Sequence, residues 1–597
     1  MSGDAVSETD TRFLGVERSV SGKSWRLREA DDQSVTEMAR IAGIPDLLAR
    51  LLVSRGISVE QAASHLDPRL RDYFPDPSSF QDMDKAASAI WDAVEGGKAL
   101  AVFADYDVDG GTSAAQLIRY FRGLGYRLDL YVPDRVAEGY GPSREAFEVL
   151  KGRGADMVIT VDCGAAAGEA LEAARDIGLD VVVVDHHLMG AVLPPAAAVI
   201  NPNREDDVSG CGHMAAAGVT FVLLAALNRE GRRRGTFEEK TEPDLFDFID
   251  LAALGTVCDV VPLTGVNRAI VAQGLKAMGS WRNTGLKALA DVSGVESAPG
   301  TYHAGFLLGP RINAGGRVGR ADLGARLLST DDPREAAEIA QELDLLNKER
   351  REIETDVLDS ACAQIEAAGQ TDAPILVASG PGWHPGVIGV VAGRMKERYG
   401  RPTIVIGVAD GIGKGSGRSV PGVDLGSAIG AAKDKGLLSS GGGHAMAGGL
   451  TVAESDIPAL TEFLAEALAD QFAAAGDAMA LKIDGVLSPA AANERFVTQL
   501  LGAGPFGQGN GEPRFALPHV RVVYAERVGG AHVRFSLAAG SGERISGIAF
   551  RAADSPLGDA LLGGDRQVWH AVGRLKLDEW RGRRRVDFHL EDIAVAN

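Results

Sequence analysis

The sequence predicts an α/β protein with two α/β lobes, a long connecting helix, and a small antiparallel barrel or sheet at the C-terminal end. Three observations support this prediction. Apolar strand-like runs alternate with helical patterns in residues 81–330 and again in 372–476. A highly charged helical pattern, 333–368, lies between them, and short alternating segments replace the helices after residue 477. Strands that alternate with helices indicate a parallel sheet, whereas short alternating strands indicate an antiparallel module.

We expect several domains, because 597 residues are too many for one hydrophobic core. The chain divides into an N-terminal segment of short helices with no assignable chemistry, a first α/β domain, a connecting helix, a second α/β domain and a β domain. The corresponding ranges are 1–80, 81–330, 331–371, 372–476 and 477–597.

Cysteine usage and hydropathy indicate the compartment. The four cysteines are scattered and form no Cys-x-x-Cys pair, which argues against a disulfide framework or a thiolate zinc site. No apolar run reaches the ~20 residues that span a bilayer. Residues 1–32 also lack the apolar stretch of a signal peptide. These features predict a protein of the reducing cytoplasm with no membrane association.

Polar side chains follow three predicted strands of the first α/β domain. Residues 181–184 are four valines, which predict a buried strand in the centre of a parallel sheet. The apolar runs 100–104 and 157–161 predict two more such strands. The polar residues that follow the three strands are Asp185, His186 and His187; Asp105, Asp107 and Asp109; and Asp162. Because ligands of open α/β sheets bind outside the carboxyl ends of the strands, these side chains are expected at one edge.

The convergence of these carboxylates predicts a metal site. A single carboxylate after a strand is more often a turn or helix cap than a ligand, and Asp259, near the end of a mostly apolar helix-like segment, would by itself be assigned as a cap. Several buried carboxylates at one edge, however, repel each other unless cations hold them. A set rich in oxygen with one or two imidazoles suits Mn²⁺ or Mg²⁺ better than structural zinc. Two such ions serve in-line displacement at phosphorus.

Three Gly-rich stretches are predicted to be loops: 310–320, which contains three arginines, 413–419 and 441–449. Ordinary turn chemistry explains a Gly-rich loop equally well. In the second stretch, however, Ser416 and Arg418 add hydroxyl and guanidinium donors that match the geometry of a phosphate.

The net charge of −21 argues against a nucleic acid partner, because binding to phosphates needs a basic surface. A local basic segment offsets this. Residues 574–585 contain Trp580 among five arginines, including Arg581. A solvated charged strand is the simpler interpretation. The aromatic residue favours single-strand binding by base stacking together with attraction to the phosphates.

Four motifs resemble those of the DHH phosphoesterases. They are residues 105–110 (Asp-Tyr-Asp-Val-Asp-Gly), 161–164 (Val-Asp-Cys-Gly), 185–187 (Asp-His-His) and 256–263 (Thr-Val-Cys-Asp-Val-Val-Pro-Leu). Residues 441–444 resemble the DHHA1 domain that accompanies DHH. Four further stretches resemble the RecJ exonuclease family: 310–317, 343–354, 383–394 and 505–515. The resemblance runs in the family's order from about residue 80 to the C-terminus.

The resemblance implies a two-lobed DHH and DHHA1 core, joined by a long helix and followed by an OB-fold. It implies 5′-to-3′ hydrolysis of single-stranded DNA to 5′-mononucleotides with two Mn²⁺ or Mg²⁺ ions, in DNA repair and recombination. A single-strand-binding protein and a helicase are the protein partners to consider.

The resemblance also implies roles for individual residues. Metal ligands would be Asp105, Asp107, Asp109, Asp162, Asp185, His186 and Asp259, with Asp162 bridging the ions and Asp105 as a peripheral ligand. Asp107, Asp109, Asp162, His186 and His187 would form the catalytic group. Phosphate and DNA contacts would come from Arg135, Arg311, Arg317, Ser416, Arg418, Gly442, Gly443 and His444, together with Trp580 and Arg581 of the basic segment.

Two other functions remain open. A DHH hydrolase of short oligonucleotides or cyclic dinucleotides is the first alternative, although it predicts a chain without the C-terminal β domain. A degenerate, non-catalytic scaffold is the second, although such a protein should have lost ligands, and every motif position here is filled.

Overall fold

The computed structural model describes residues 12–135, 137–296, 298–476, 480–564, 567–580 and 583–596, without the side chains of residues 579, 580 and 583. Within these ranges, the length and the apolar character needed to span a bilayer do not coincide in any helix.

The N-terminal segment packs against the C-terminal β domain. Its elements are β1 (Trp25–Leu27), α1 (Asp32–Ala42), α2 (Asp46–Val53), α3 (Ala62–Leu66) and α4 (Leu70–Tyr73). Asp31 caps α1 by accepting a hydrogen bond from the Ser34 amide at 2.8 Å. The apolar faces of α1 and α2, including Met38 and Leu51, belong to the same hydrophobic core as Phe515 of the β domain.

The first α/β domain contains the predicted parallel sheet. Its elements are α5 (Met83–Glu95), β2 (Leu100–Ala104), α6 (Val108–Gly123), β3 (Leu128–Tyr131), α7 (Arg144–Gly152), β4 (Met157–Val161), α8 (Gly168–Asp176), β5 (Asp180–Val184), β6 (Ala198–Ile200), α9 (Ala216–Arg234), α10 (Ile249–Cys258), α11 (Gly265–Met278), α12 (Thr284–Ser293), α13 (Gly309–Val318) and α14 (Leu323–Ser329). The strand order is β3-β2-β4-β5-β6, and all pairs are parallel. The direction of winding reverses between β2 and β4, which makes their carboxyl ends the expected ligand site.

The prediction of a Gly-rich loop at 310–320 is wrong, because most of this stretch is helix α13. Its glycines allow close packing. A Cβ atom on Gly315 would lie 2.9 Å from the Arg320 carbonyl oxygen, and one on Gly316 would lie 2.8 Å from the Tyr106 carbonyl oxygen. Glycine is typical of turns, but the glycines of α13 let the helix approach the backbone of its neighbours closely.

One helix connects the two lobes, as predicted. It is α15 (Pro333–Ala367), 35 residues or about 52 Å long. Asp332 caps it and Pro333 occupies its first turn, which is a favourable start for a helix. Glu354 is fully buried on this helix, between the guanidinium groups of Arg350 and Arg394.

The second α/β domain has a mixed five-stranded sheet. Its elements are β7 (Leu376–Pro381), α16 (Pro385–Tyr399), β8 (Thr403–Ala409), β9 (Ile412–Arg418), α17 (Leu425–Asp434), β10 (Ser440–His444), β11 (Ala447–Ala453) and α18 (Ile457–Ala474). The strand order is β10-β11-β9-β8-β7, and only β7 and β8 pair in parallel.

The other two predicted loops, 413–419 and 441–449, are mostly strands of this sheet. In β9, glycines at 413, 415 and 417 alternate with polar residues and occupy the buried face. A Cβ atom on Gly415 would lie 2.7 Å from Leu450 Cδ1, so the glycines make room for large apolar side chains. A period of two indicates a strand even when the inward residue is glycine.

The C-terminal β domain is a closed barrel, as predicted. Its elements are β12 (Leu481–Ile483), β13 (Gly485–Val486), α19 (Glu494–Leu501), β14 (Phe515–Val528), β15 (His532–Ala539), β16 (Arg544–Ala549), α20 (Pro556–Leu562), β17 (Trp569–Trp580) and β18 (Arg583–Val595). The strand order β14-β15-β16-β18-β17 closes through pairing of β14 with β17. A five-stranded barrel of this kind is an OB-fold.

Candidate active site

Four segments bring acidic and imidazole side chains to one edge of the parallel sheet. Asp162 follows β4 and His186 follows β5, as predicted. Asp109 lies in the first turn of α6, and Asp259 ends α10. His186 Nε2 is central: it lies 3.3 Å from Asp162 Oδ1, 3.6 Å from Asp259 Oδ2 and 3.7 Å from Asp109 Oδ2. The strand ends therefore converge at the point where the winding reverses.

Two helix N-termini hold the first pair of carboxylates. Asp107 caps α6, and its Oδ1 accepts hydrogen bonds from the amides of Asp109 at 2.8 Å and Gly110 at 3.2 Å. The Asp109 oxygens accept from the amides of Ala216 and Ala217, at 2.7 and 2.8 Å, where α9 begins. These hydrogen bonds fix the orientations of both carboxylates, and the helix N-termini favour their negative charge.

Buried oxygens without donors indicate what the site binds. Asp105 Oδ1 and Asp162 Oδ1 accept no hydrogen bond from any residue that the structure describes. Asp162 also has a left-handed backbone, with φ of +61°. A strained backbone and unsatisfied buried oxygens are unfavourable unless a ligand compensates for them. Divalent cations fit these oxygens.

The pKa values of the carboxylates agree with a cation site. Burial is the larger cause, and repulsion from the other carboxylates the next, of pKa values for Asp109 and Asp162 that are raised well above the ordinary range. Burial, followed by the charge of Asp107, raises the pKa of Asp105 and of Asp259 to about 7. Cations among these groups would favour the charged forms and lower the pKa values again.

The donors form three overlapping groups, and within each group the ligand atoms lie within 4.8 Å of one another. The groups are Asp105, Asp107 and Asp162; Asp109, His186 and Asp259; and Asp162, His186 and His187. Asp162 and His186 each belong to two groups, so the three groups are contiguous, and the bridging role of Asp162 stays a prediction. Mostly hard oxygen donors with imidazole suit Mn²⁺ or Mg²⁺.

Asp185 positions its neighbours, and it belongs to none of the three groups of candidate ligands among the described residues, so its assignment as a metal ligand stays a prediction. Its Oδ1 accepts from the His186 amide at 2.7 Å and lies 2.8 Å from His187 Nδ1, and its Oδ2 accepts from the Ala165 amide at 2.9 Å. Burial would raise the pKa of Asp185, but the hydrogen bond and charge of His187 outweigh it and the pKa is lowered. For His187, burial is outweighed by Asp185, and the pKa is raised. Both oxygens of Asp185 therefore accept hydrogen bonds from the protein.

A basic cleft of about 480 Å³ lies between the two α/β domains. The first domain contributes Arg135 and Arg317, and the second contributes Ser416, Arg418 and Lys414. Arg317 also donates to the carbonyl of Gly386, across the domain boundary, at 2.7 Å. The two lobes therefore form the cleft together.

The cleft is suited to an anion. In the described ranges, no carboxylate forms an ion pair with Arg135, Arg317 or Arg418: Arg135 lies over the Tyr106 ring, and the other two donate to backbone carbonyls. Burial, followed by repulsion from Arg135, lowers the pKa of Arg317 to about 10 and also lowers that of Arg418. A phosphate would neutralise this positive charge and accept hydrogen bonds from the guanidinium groups.

Sequence relatives of known activity cover almost the whole chain. The single-stranded-DNA-specific exonuclease RecJ of Escherichia coli (strain K12) is 36% identical, over 95% of this chain and 98% of that protein. The RecJ of Bacillus subtilis (strain 168) is 33% identical, over 96% of this chain and 71% of that protein. The chain belongs to the RecJ family.

Family models and solved RecJ structures agree with the domain order. The DHH family N-terminal domain matches residues 99–256, the DHHA1 domain matches 372–470, and the RecJ OB domain matches 483–592. RecJ of Thermus thermophilus in complex with Mn²⁺ superposes with a TM-score of 0.77 at 28% identity, covering 95% of this chain and 79% of that one. Its complex with Mg²⁺ gives 0.71 at 27% identity, covering 96% and 78%.

Arg311 does not line the basic cleft. Its Nε donates to Asp344 Oδ1 of α15 at 2.9 Å, and a terminal nitrogen donates to the Leu307 carbonyl at 2.8 Å. Because residues 309–318 form a helix rather than a loop, Arg311 pairs with the connecting helix. Its predicted contact with the DNA backbone has no support from this geometry.

Residues 442–444 lie beside the cleft on the edge strand β10. In the sheet register Gly442 is level with Gly449 and then Ser416, and His444 is level with Ala447 and then Arg418. Gly442 is therefore two strand spacings, or about 10 Å, from Ser416, and His444 is equally far from Arg418. Gly442, Gly443 and His444 are therefore neighbours of the cleft but do not line it.

The basic segment of the barrel is partly neutralised. Arg574 and Lys576 of β17 pair with Glu512, at 3.4 and 2.6 Å. Arg581 lies outside the described residues, and of Trp580 only the backbone is described. Their predicted contact with single strands stays a prediction.

Tyr140 is a site residue that no sequence pattern indicated. Its hydroxyl donates to the carbonyl oxygen of Asp162 at 3.1 Å and lies 3.2 Å from His187 Nδ1. Asn201 similarly donates to the His187 carbonyl at 2.9 Å. Tyr140 lies in a loop that follows no predicted strand directly, and only glycines at 139 and 141 mark the position.

Proposed function

We propose that this chain is a metal-dependent exonuclease that hydrolyses single-stranded DNA from the 5′ end to 5′-mononucleotides. The observation that supports it best is the basic cleft of Arg135, Arg317 and Arg418 beside the acidic edge of the parallel sheet. A cleft that binds a terminal phosphate restricts hydrolysis to the end of a strand. Membership of the RecJ family supports the same substrate.

Two divalent cations, Mn²⁺ or Mg²⁺, would be held by five side chains: Asp107, Asp109, Asp162, His186 and Asp259. Bound there, the cations would activate the attacking water and neutralise charge on the leaving oxygen. Asp105 and His187 lie within the same groups of atoms and would support the ligands from the periphery.

The protein's own residues would orient the substrate. Arg317 and Arg418 would hold the 5′-phosphate by charge-assisted hydrogen bonds, with the Ser416 hydroxyl as a further donor. Asp185 holds the His187 ring through Nδ1, and Tyr140 donates to the Asp162 carbonyl, so both fix the geometry of neighbouring groups. Residues 442–444 would contact the strand next to the terminal phosphate.

The barrel would bind the strand beyond the first nucleotides. OB-folds bind single strands by aromatic stacking and backbone attraction, and Trp580 and Arg581 are the residues we assign to this. Duplex DNA must be opened before such an enzyme can act, which supports a helicase and a single-strand-binding protein as partners. A DNA substrate and four free thiols support a cytoplasmic location.

Two end-labelled forms of one single strand test the proposal. With Mn²⁺, we expect immediate release of labelled mononucleotide from the 5′-labelled strand and progressive shortening of the 3′-labelled strand. Asp162→Ala should remain folded and release nothing. If only a dinucleotide is cut, the enzyme is a short-oligonucleotide hydrolase. If the strand binds and nothing is cut, the protein is a scaffold, and both outcomes overturn the proposal.

A further inference from the structure

A loop of the barrel domain, residues 503–510, contacts the first α/β domain close to the acidic edge. We call it the docking loop. It contains the stretch Pro-Phe-Gly-Gln-Gly-Asn, to which the proposed function assigns no role. The loop directly precedes β14 of the barrel. Because it also contacts the first α/β domain, it connects the barrel to the domain that contains the proposed metal ligands.

The docking loop packs against the segment that follows Asp259. The Gln508 carbonyl accepts a hydrogen bond from the Leu263 amide at 2.8 Å. A Cβ atom on Gly509 would lie 3.0 Å from Pro262 Cβ, and one on Gly507 would lie 2.7 Å from Leu263 Cδ1. The two glycines therefore allow direct contact with residues three and four positions beyond Asp259.

Asp259 depends on this segment for its position. The carboxylate follows the last residue of α10, and the next residue, Val260, has a left-handed backbone with φ of +61°. β-Branched residues rarely adopt that conformation, so the surrounding contacts must hold it. On the inner side, Asn267 donates to the Pro262 carbonyl at 3.0 Å. The outer side of Pro262 and Leu263 is held by the docking loop.

The docking loop is itself held rigidly. The side-chain amide of Asn510 donates to the carbonyls of Ala503 and Pro505, at 3.0 and 2.8 Å. Arg268 of α11 is 1% exposed and donates to the carbonyls of Gly504 and, at 2.8 Å, His65 of the N-terminal segment. Among the described residues no carboxylate pairs with Arg268, so its charge is satisfied by carbonyl oxygens of the two segments it joins.

We propose that the docking loop positions Asp259 and thereby couples the barrel to the metal centre. Gly507, Gly509 and the Gln508 carbonyl are the positioning groups, and Arg268 holds the loop in place. The inference rests on the proposed function, because it takes Asp259 to be a metal ligand. Displacement of Pro262 by a few tenths of an ångström would matter, since metal–ligand distances tolerate only about 0.2 Å.

Alanine substitutions with matched controls test the inference. Gly509→Ala adds a methyl group against Pro262 in a left-handed position with φ of +70°. Gly97→Ala is its control, with φ of +69° and nothing within 4 Å. Gly507→Ala adds a methyl group against Leu263 without a left-handed backbone, and Gly511→Ala, with open space around it, is the control in the same chain segment.

Mn²⁺ binding is measured first, by electron paramagnetic resonance of the free ion in titrations without DNA. We expect Gly509→Ala and Gly507→Ala to raise the Kd of one of the two ions roughly tenfold, as substitutions of groups that orient ligands commonly do. Both controls should bind like the unmodified protein. At subsaturating Mn²⁺, kcat on a long single strand should fall while KM for the strand stays constant, and added Mn²⁺ should restore kcat.

The outcomes separate this inference from the proposed function. Asp259→Ala should lose one Mn²⁺ ion; if it binds both normally, the assignment of the ligands fails. If Asp259→Ala loses an ion while both loop variants bind like their controls, the coupling fails. A rise in KM for the strand with unchanged Mn²⁺ binding would also overturn it, because the loop would then serve only DNA binding. Circular dichroism identifies folded variants, and Gly507→Ala decides the result if Gly509→Ala does not fold.

Discussion

Replacing Asp259 by asparagine should stabilise the metal-free protein and reduce its stabilisation by Mn²⁺. The carboxylate is 24% exposed, and burial, followed by the charge of Asp107, raises its pKa to about 7 from an ordinary value of 3.8. The folded state therefore binds the proton of the Asp259 carboxyl group more tightly than the unfolded state does. The contribution of this proton to the free energy of unfolding is greatest below about pH 4 and is lost as the pH rises from 4 to 7.

The magnitude follows from the rise in pKa. From 3.8 to about 7 it corresponds to at most about 4 kcal/mol of the free energy of unfolding at pH 8. Because Asp259 is partly exposed, solvent screening reduces this, and we expect Asp259→Asn to gain about 2–3 kcal/mol without metal at pH 8. An amide has no proton to lose, so the advantage should shrink toward pH 4.

The assay is urea unfolding of chelator-treated protein at pH 4.5 and pH 8, with and without Mn²⁺. Mn²⁺ at pH 8 should stabilise the unmodified protein much more than Asp259→Asn, because binding to the folded state adds to stability. A variant no more stable than the unmodified protein at pH 8 without metal would refute the reasoning. An advantage equal at both pH values would do so as well.

Three further substitutions test other parts of the structure. Arg418→Ala should raise KM for a 5′-phosphorylated strand at least about tenfold, since a charged hydrogen bond to phosphate is lost. Steady-state kinetics should show no such rise for a 5′-hydroxyl strand. An equal rise in KM for both strands would contradict a role of Arg418 in binding the 5′-phosphate. Gly255→Ala should lower the free energy of unfolding by about 1–3 kcal/mol, because its Cβ would lie 2.5 Å from Ala217 Cβ; unchanged thermal unfolding would contradict this close packing. Glu354→Gln should cost about 3–5 kcal/mol in urea unfolding, because it leaves the buried guanidinium group of Arg350 without its charged partner and also removes the partner of the more exposed Arg394. An unchanged urea midpoint would contradict a buried pair of Arg350 and Glu354.

The acidic edge could be predicted from sequence because parallel strands leave their carboxyl ends on the same side. Buried valines at 181–184 indicate the strand, and the residue after the strand must then lie at the edge. The same reasoning applied to β2 and β4, and the predicted residues Asp109, Asp162 and His186 do converge there. Strand polarity was sufficient for that much of the site.

The glycine-rich stretches were harder to interpret, because glycine serves two purposes. At 310–320 and 413–419 the sequence suggests turns, whereas the glycines of α13 and β9 allow close packing. Only the neighbouring backbone and side chains distinguish these cases. The role of Asp185 was also out of reach, because a sequence does not reveal which carboxylate oxygens already accept hydrogen bonds. Tyr140 depends on a loop conformation that no periodic pattern encodes.

The shared core of the N-terminal segment and the barrel affects how the chain is made. Trp25 Nε1 donates to Asp592 Oδ2 at 3.0 Å, and β1 pairs with β12, so partners in one core are separated by more than four hundred residues of sequence. At a synthesis rate of about 5–20 residues per second, the apolar faces of α1 and α2 wait roughly 30–100 s for the last barrel strand. The segment therefore leaves the ribosome long before the barrel that buries its apolar faces has been made.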